Sequence, residues 1–217
     1  MNRCPFNEYL PQVGDVRTVV EVGCYRMDDT ACMRGLWPEA RLICFEPDPR
    51  NVEHIYRCQL SAEYAAELYP YAVGAQAAVA DFWLSTNLNP AQDCEWSQSS
   101  SLMRPAKFGA PGDLRFSPCI YRYEPTRVKV VTLDEYLPLL RVGAVDLLWM
   151  DTQGAECLVL QGAVKTLART RWIWTEHNTS GYYEGASTLE KIRALLPGWE
   201  LIKTADHDAL LKNASLP

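Results

Sequence analysis

The chain has 217 residues, 48% of them apolar and 22% charged, enough for one large domain with a full core. Its net charge of −6 argues against a nucleic-acid partner, because such affinity rests on Lys and Arg neutralising phosphates. No run approaches a membrane span, and "MNRCPFNEYLPQVGDV" lacks the apolar stretch of a signal peptide, so a cytoplasmic protein with no membrane partner is expected.

In chain order, "RTVVEV" (17–22) reads as a buried strand. A helix is expected over "DTACMRGLW", opened by Asp29 or Thr30, followed by a strand at "ARLICFE" (40–46). Asp48 can cap a helix with Pro49 at its first position, with Val52, Ile55, Tyr56 and Leu60 as its buried face. "LYPYAVG" (68–74) is a third strand, and "AAVADFWLST" (77–86) is a fourth that can pair with it. Residues 87–126 carry five prolines and weak periodicity, and are expected to form a substrate-covering insertion. Within 104–127, five basic residues stand against two acidic ones, a local reversal of sign.

"RVKVVTL" (127–133) is strand-like, and Thr132 with Glu135 has capping-box spacing before the helix at "DEYLPLL". "VDLLWMD" (145–151) has the continuous apolar character of a central parallel strand, and "AECLVLQGAVKTLA" follows as a helix. "RWIWTE" (171–176) is another strand. Ser187 and Glu190 form a second capping box before "TLEKIRALL", and "WELIK" and "DALLK" close the chain as strands, one of them antiparallel. This alternation predicts a single α/β domain over 1–217, a doubly wound, mostly parallel seven-stranded sheet.

The eight cysteines (Cys4, Cys24, Cys32, Cys44, Cys58, Cys94, Cys119, Cys157) include no C-x-x-C pair. Neither a zinc nor an iron–sulfur site is therefore expected, and a reducing compartment is the simplest setting. Four strands carry acids near their ends, Glu21, Glu46, Asp151 and Glu176, at the edge where open α/β sheets bind ligands. The first loop, "VVEVGCYRMDDT", has a single glycine, Gly23, so a polyglycine phosphate cradle and a dinucleotide dehydrogenase are disfavoured. Glu46, 23 residues on, stands where a carboxylate accepts ribose hydroxyls. An acidic first loop suits a nucleoside with a cationic amino-acid tail, S-adenosylmethionine.

"VVEVGCYRMDDT", "CFEPDPRNVEHI", "YPYAVGAQAAVADFWLS", "SSSL", "VVTLDEYL" and "VDLLWMDTQGAECLVLQGA" together resemble the FkbM family of class I S-adenosylmethionine-dependent methyltransferases, from about 17 to 203. Met27 stands where that family has a glycine, so the loop beyond Tyr25 is expected to take another path. The resemblance implies that Glu21, Gly23, Cys24 and Tyr25 line the methionine portion. It implies that Glu46 and Pro47 hold the ribose, Ala72 and Val73 flank the adenine, Ser101 touches the cofactor, and Asp151 lies near the transferred methyl.

Gly154 reads as a tight-turn glycine and Glu156 as a helix-start acceptor. His54 and His207 read as solvated, whereas His177 follows a site acid. Glu176, Asn178, Tyr182 and Tyr183 are candidate substrate contacts. Two routes for the acceptor proton compete. In one, His177 is the general base, with Asp151 as the remaining candidate. In the other, Asp151, Glu176 and Asn178 bind Mg²⁺. The metal-free route is preferred, since Thr152 and Gln153 add no further acid beside Asp151. The expected activity is O-methylation of a small-molecule hydroxyl on a sugar or natural product. The alternatives are a methyltransferase acting on nucleic acid or protein, and a non-catalytic nucleoside-binding module.

Overall fold

The computed structural model describes residues 10–87, 97–106, 121–177 and 182–216. Its strands are β1 (Thr18–Val22), β2 (Arg41–Phe45), β3 (Ala66–Tyr69), β4 (Ala72–Val73), β5 (Ala78–Asn87), β6 (Tyr121–Val131), β7 (Val145–Met150), β8 (Thr170–Glu176), β9 (Trp199–Ala205) and β10 (Asp208–Asn213). The helices are α1 (Asp28–Leu36), α2 (Pro49–Arg57), α3 (Leu60–Glu63), α4 (Leu133–Leu139), α5 (Glu156–Gln161), α6 (Val164–Leu167) and α7 (Leu189–Leu195). Seven strands form one sheet in the order β3-β2-β1-β7-β8-β10-β9, and β10 is antiparallel to both its neighbours. This is the doubly wound sheet that the strand–helix alternation predicts. A second sheet, β4-β6-β5, stands beside it.

Side-chain alternation along the strands builds a core on each face. Val20, Val22, Ile43, Phe45, Leu148, Met150 and Ile173 pack on the side of α4, α5 and α7. Val19, Leu42, Cys44, Leu147, Trp149 and Trp174 pack on the side of α1 and α2. Trp149 and Trp174 stack there with ring centroids 5.4 Å apart. Each fully buried aliphatic side chain contributes about 1.5–3 kcal/mol.

Several local expectations change. The run 68–74 belongs to two sheets: β3 ends at Tyr69, and after Pro70 the chain resumes as β4 beside β6. Proline has no N–H for a ladder, so the break falls there. β5 pairs with β6 in antiparallel register, Ala78 opposite Val130 through Asn87 opposite Tyr121, and not with the preceding strand. β6 therefore takes in 121–126, which the sequence assigns to the insertion.

Helix α1 opens at Asp28 after Met27, with no side-chain cap, because the Thr30 hydroxyl is turned to Glu21 instead. Thr188, not Ser187, caps α7; the Ser187 hydroxyl accepts from the Cys157 amide at 2.8 Å. The expected helix at 155–168 divides into α5 and α6. The Asp134 carboxylate accepts from the Lys165 and Thr166 amides, which starts α6 anew. On α2 the buried positions are Asn51 and Ile55, while Tyr56 is exposed.

Met27 is fully buried at φ 67°, ψ 29°, a left-handed conformation that a glycine would take without cost. Burying the side chain offsets a strain of about 1–2 kcal/mol.

Candidate active site

Because β1, β2 and β7 are parallel neighbours, the turns after them meet at one edge of the sheet. A cavity of about 340 Å³ opens there, within the size range of small-molecule sites. Gly23, Cys24 and Tyr25 line it from β1, Glu46 and Pro47 from β2, Ala72 and Val73 from β4, and Asp151 from β7. All eight are residues expected around the cofactor.

Glu21 and Ser101 are placed elsewhere. Glu21 has the parity of Val19, so its side chain lies on the α1 face of the sheet rather than in the cavity wall. Its Oε2 accepts from Thr30 Oγ1 at 2.5 Å and from Cys44 Sγ at 3.3 Å, and burial holds the carboxyl well above the usual range. Ser101 is fully buried and hydrogen-bonds the Gln153 carbonyl at 2.9 Å. It anchors 97–106 to the β7–α5 turn.

Gly23 has φ 88°, and its amide bonds Phe45 O at 2.9 Å. A Cβ there would sit 1.8 Å from the Asp151 carbonyl oxygen. The close approach of these two turns brings Asp151 to the cavity.

Glu46 is buried yet lines the cavity. Its Oε2 accepts from the Tyr25 amide at 2.8 Å, and its Oε1 from the Asp48 amide at 2.9 Å and Asn51 Nδ2 at 3.3 Å. A carboxylate offers about four lone-pair sites, so capacity remains for a further hydroxyl donor. Burial, the largest influence, lifts its pKa to about 8.

Gln153 Nε2 donates to Asp151 Oδ1 at 2.7 Å and to Glu176 Oε2 at 2.8 Å, drawing the two carboxyls together. Burial and then the Asp151 charge push Glu176 to about 10, and burial raises Asp151 as well. Asp208 lies opposite Glu176 in the β8–β10 register and is pushed to about 7 by burial and Asp151. Asp29 reaches about 7 for the same reasons. Glu156 also rises to about 7 through burial. It accepts from Thr152 N, Thr152 Oγ1 and Gly154 N, and so shapes the turn after β7.

These shifts set a pH dependence. The folded pKa values lie above unfolded values near 4, so the folded state holds extra protons between pH 4 and 7–10. Stability is fully present below that window and is lost as pH rises through it. The melting temperature of the ligand-free protein is therefore expected to fall from pH 5 to pH 9. Scanning fluorimetry at constant ionic strength checks this; a melting temperature that rises over that range would refute the acidic cluster.

The remaining candidates are dispersed. His177 is buried beside the β9–β10 turn, its amide bonding His207 O at 2.6 Å. Neither ring nitrogen has a hydrogen-bond partner among the described residues, and burial lowers its pKa. His177 is not in the cavity wall. Tyr183 is not a wall residue either. Its hydroxyl donates to Ser99 O at 2.6 Å, and its backbone bridges Pro105. Tyr182 O accepts from the Ala106 amide. Both tyrosines are therefore bonded to the 97–106 segment. Asn178 lies outside the described residues, as do 88–96 and 107–120 of the expected insertion. Among the described residues no group of three His, Cys, Asp or Glu is arranged to hold a metal ion.

Sequence reasoning assigned no role to Asn51, Phe82, Leu102 or the Ser-Gln-Ser-Ser stretch at 97–100, all in the cavity wall. Asn51 had a readable signal: it shares the buried face of an amphipathic helix with Ile55, one turn on.

Comparison with known proteins identifies the family. The pattern of the methyltransferase FkbM domain matches residues 17–207. The 2-O-methyltransferase NoeI of Sinorhizobium fredii (strain NBRC 101917 / NGR234) is 32% identical over 205 residues, 91% of this chain and 80% of that protein. The crystal structure of methyltransferase FkbM from Methylobacillus flagellatus KT superposes with a TM-score of 0.55 at 13% identity, a likeness of fold alone. That alignment covers 91% of this chain but 43% of the other, so the chain spans less than half of that protein. With the domain pattern spanning most of its length, the chain belongs to the FkbM methyltransferase family.

Proposed function

We propose that the protein is an S-adenosylmethionine-dependent O-methyltransferase whose acceptor is a hydroxyl of a small molecule, a sugar or a natural product. The observation that carries this reading is Glu46, a buried carboxylate with spare acceptor capacity in the cavity wall at the end of the second strand. Val73, Phe82 and Leu102 offer an apolar wall for a purine, and Asp28, Asp29 and Asp151 offer negative charge to a cationic ligand. A relative named for transfer to an oxygen supports a hydroxyl acceptor.

When bound, S-adenosylmethionine supplies an electrophilic methyl group on a sulfonium. The protein's part is alignment, which by itself can supply on the order of 7–11 kcal/mol, and removal of the acceptor proton. Asp151 reaches the cavity and His177 does not, so the proton is assigned to Asp151. Glu176 and Gln153 hold that carboxylate in place.

Glu46→Ala is expected to weaken S-adenosylhomocysteine binding by about 1–3 kcal/mol, the range for hydrogen bonds to a charged group. Because the Glu46 carboxyl lies at about 8, wild-type affinity should also fall as pH drops from 9 to 6, and the variant should lose that slope. Calorimetry on both proteins checks this, and undiminished binding by the variant would remove Glu46 from the site.

A further inference from the structure

The 97–106 segment is tied to the cavity through buried hydrogen bonds. Ser97 Oγ donates to Asn51 Oδ1 at 2.6 Å, and Asn51 Nδ2 donates to Glu46 Oε1 at 3.3 Å. Ser97 and Asn51 are each no more than 2% exposed. A parallel tie runs through Ser100, whose hydroxyl donates to Asp48 Oδ2 at 3.0 Å, and Asp48 also pairs with Arg50 at 2.6 Å. Ser101 and Tyr183 fasten the same segment to the β7–α5 turn and to the 182–184 strip. Among the described residues, Asn51 is thus the one side chain bonded both to the Glu46 carboxylate and to this segment.

We propose that Asn51 is a positioning residue that couples occupancy of the nucleoside site to the seating of residues 97–106, so that cofactor binding orders this part of the cavity wall. The inference rests on the reading of Glu46 as the ribose-binding carboxylate. The physical reason is that the Asn51 amide has two ends. A ligand donating to Glu46 fixes that carboxylate, the carboxylate fixes Asn51 Nδ2, and Oδ1 on the same planar group is then held at Ser97. Coupling of this kind is reciprocal, so a ligand that orders the segment must also tighten nucleoside binding.

The test is hydrogen exchange with S-adenosylhomocysteine as the probe, which needs no turnover. The reporting amides are those of Trp83, Ser101, Met103, Ala106 and Glu184, each bonded to or within the segment. In wild type the ligand is expected to slow their exchange about 5- to 150-fold, the span of typical coupling between two sites. In Asn51→Ala and in Ser97→Ala this ligand-dependent slowing should be lost, although both variants still bind the ligand by calorimetry. Ser97→Ala leaves Asn51 and Glu46 in place, so it also serves if Asn51→Ala does not fold. Slowing that persists in Ser97→Ala overturns the coupling through Asn51, because the Asp48–Ser100 tie would then carry it. Slowing absent from a wild type that binds the ligand overturns it too. A wild type that binds no S-adenosylhomocysteine removes the functional reading itself, and the coupling with it.

Discussion

Asp151→Asn is expected to lower kcat by roughly 10²–10⁴-fold, the usual contribution of a positioned general base, while S-adenosylhomocysteine binds nearly as before. The substitution keeps size and shape, and its amide oxygen can still accept from Gln153, so the cavity wall should stand. What disappears is the basic oxygen. Asp151 and Glu176 share the Gln153 donor at 2.7 and 2.8 Å, and two carboxyls so close do not both ionise at neutral pH. Burial raises both carboxyls, so the pair holds a proton at neutral pH. The activity of the wild type should rise with pH as Asp151 ionises above the usual carboxylate range, and the variant should lack that limb. His177→Ala should retain kcat of the wild-type order, since the imidazole is outside the cavity wall. An Asp151→Asn enzyme at full rate beside a crippled His177→Ala enzyme would return the proton to the histidine. Loss of activity on EDTA treatment, restored by Mg²⁺, would instead give the carboxylates to a metal.

Gly23→Ala should combine loss of fold stability with loss of the site. Its Cβ would lie 1.8 Å from Asp151 O and 2.8 Å from the carbonyl carbon, both backbone atoms of a turn that cannot swing aside alone. Overpacking typically costs about 1–3 kcal/mol, and the left-handed conformation at φ 88° adds about 1–2 kcal/mol for any residue with a Cβ. If the chain relaxes, it does so by separating the β1 and β7 turns, which moves Tyr25 away from Glu46 and Asp151 away from the cavity. Urea unfolding and calorimetry should therefore show lower stability together with weaker S-adenosylhomocysteine binding. A variant of wild-type stability and affinity would contradict the close approach.

Much of this was legible in the sequence because it is encoded locally. Apolar runs alternating with amphipathic stretches specified the parallel sheet, and the positions of Gly23, Glu46 and Asp151 at strand ends placed them on one edge. The Asp48 and Thr132 caps follow from one turn of helix and were read correctly. Glu21 was readable and misread. Strand parity sets it with Val19 on the α1 face, and parity is a property of the sequence alone.

Other features needed the fold, because their partners are distant in the chain. The split of 68–74 between two sheets depends on β6, whose partner residues are 58 positions beyond β4. Ser187 and Thr188 are both plausible caps by residue type; the choice falls to Thr188 because the Cys157 amide, 30 residues earlier, claims Ser187. That Tyr183 bonds Ser99 O and bridges Pro105 also needs the fold, since both partners lie about 80 residues earlier. The sequence by itself determined the sheet, its functional edge and the family. Only the tertiary structure decided which of these acids faces the cavity and how residues 97–101 are fastened to it. Those choices are made by packing and hydrogen bonds between segments that local periodicity does not connect.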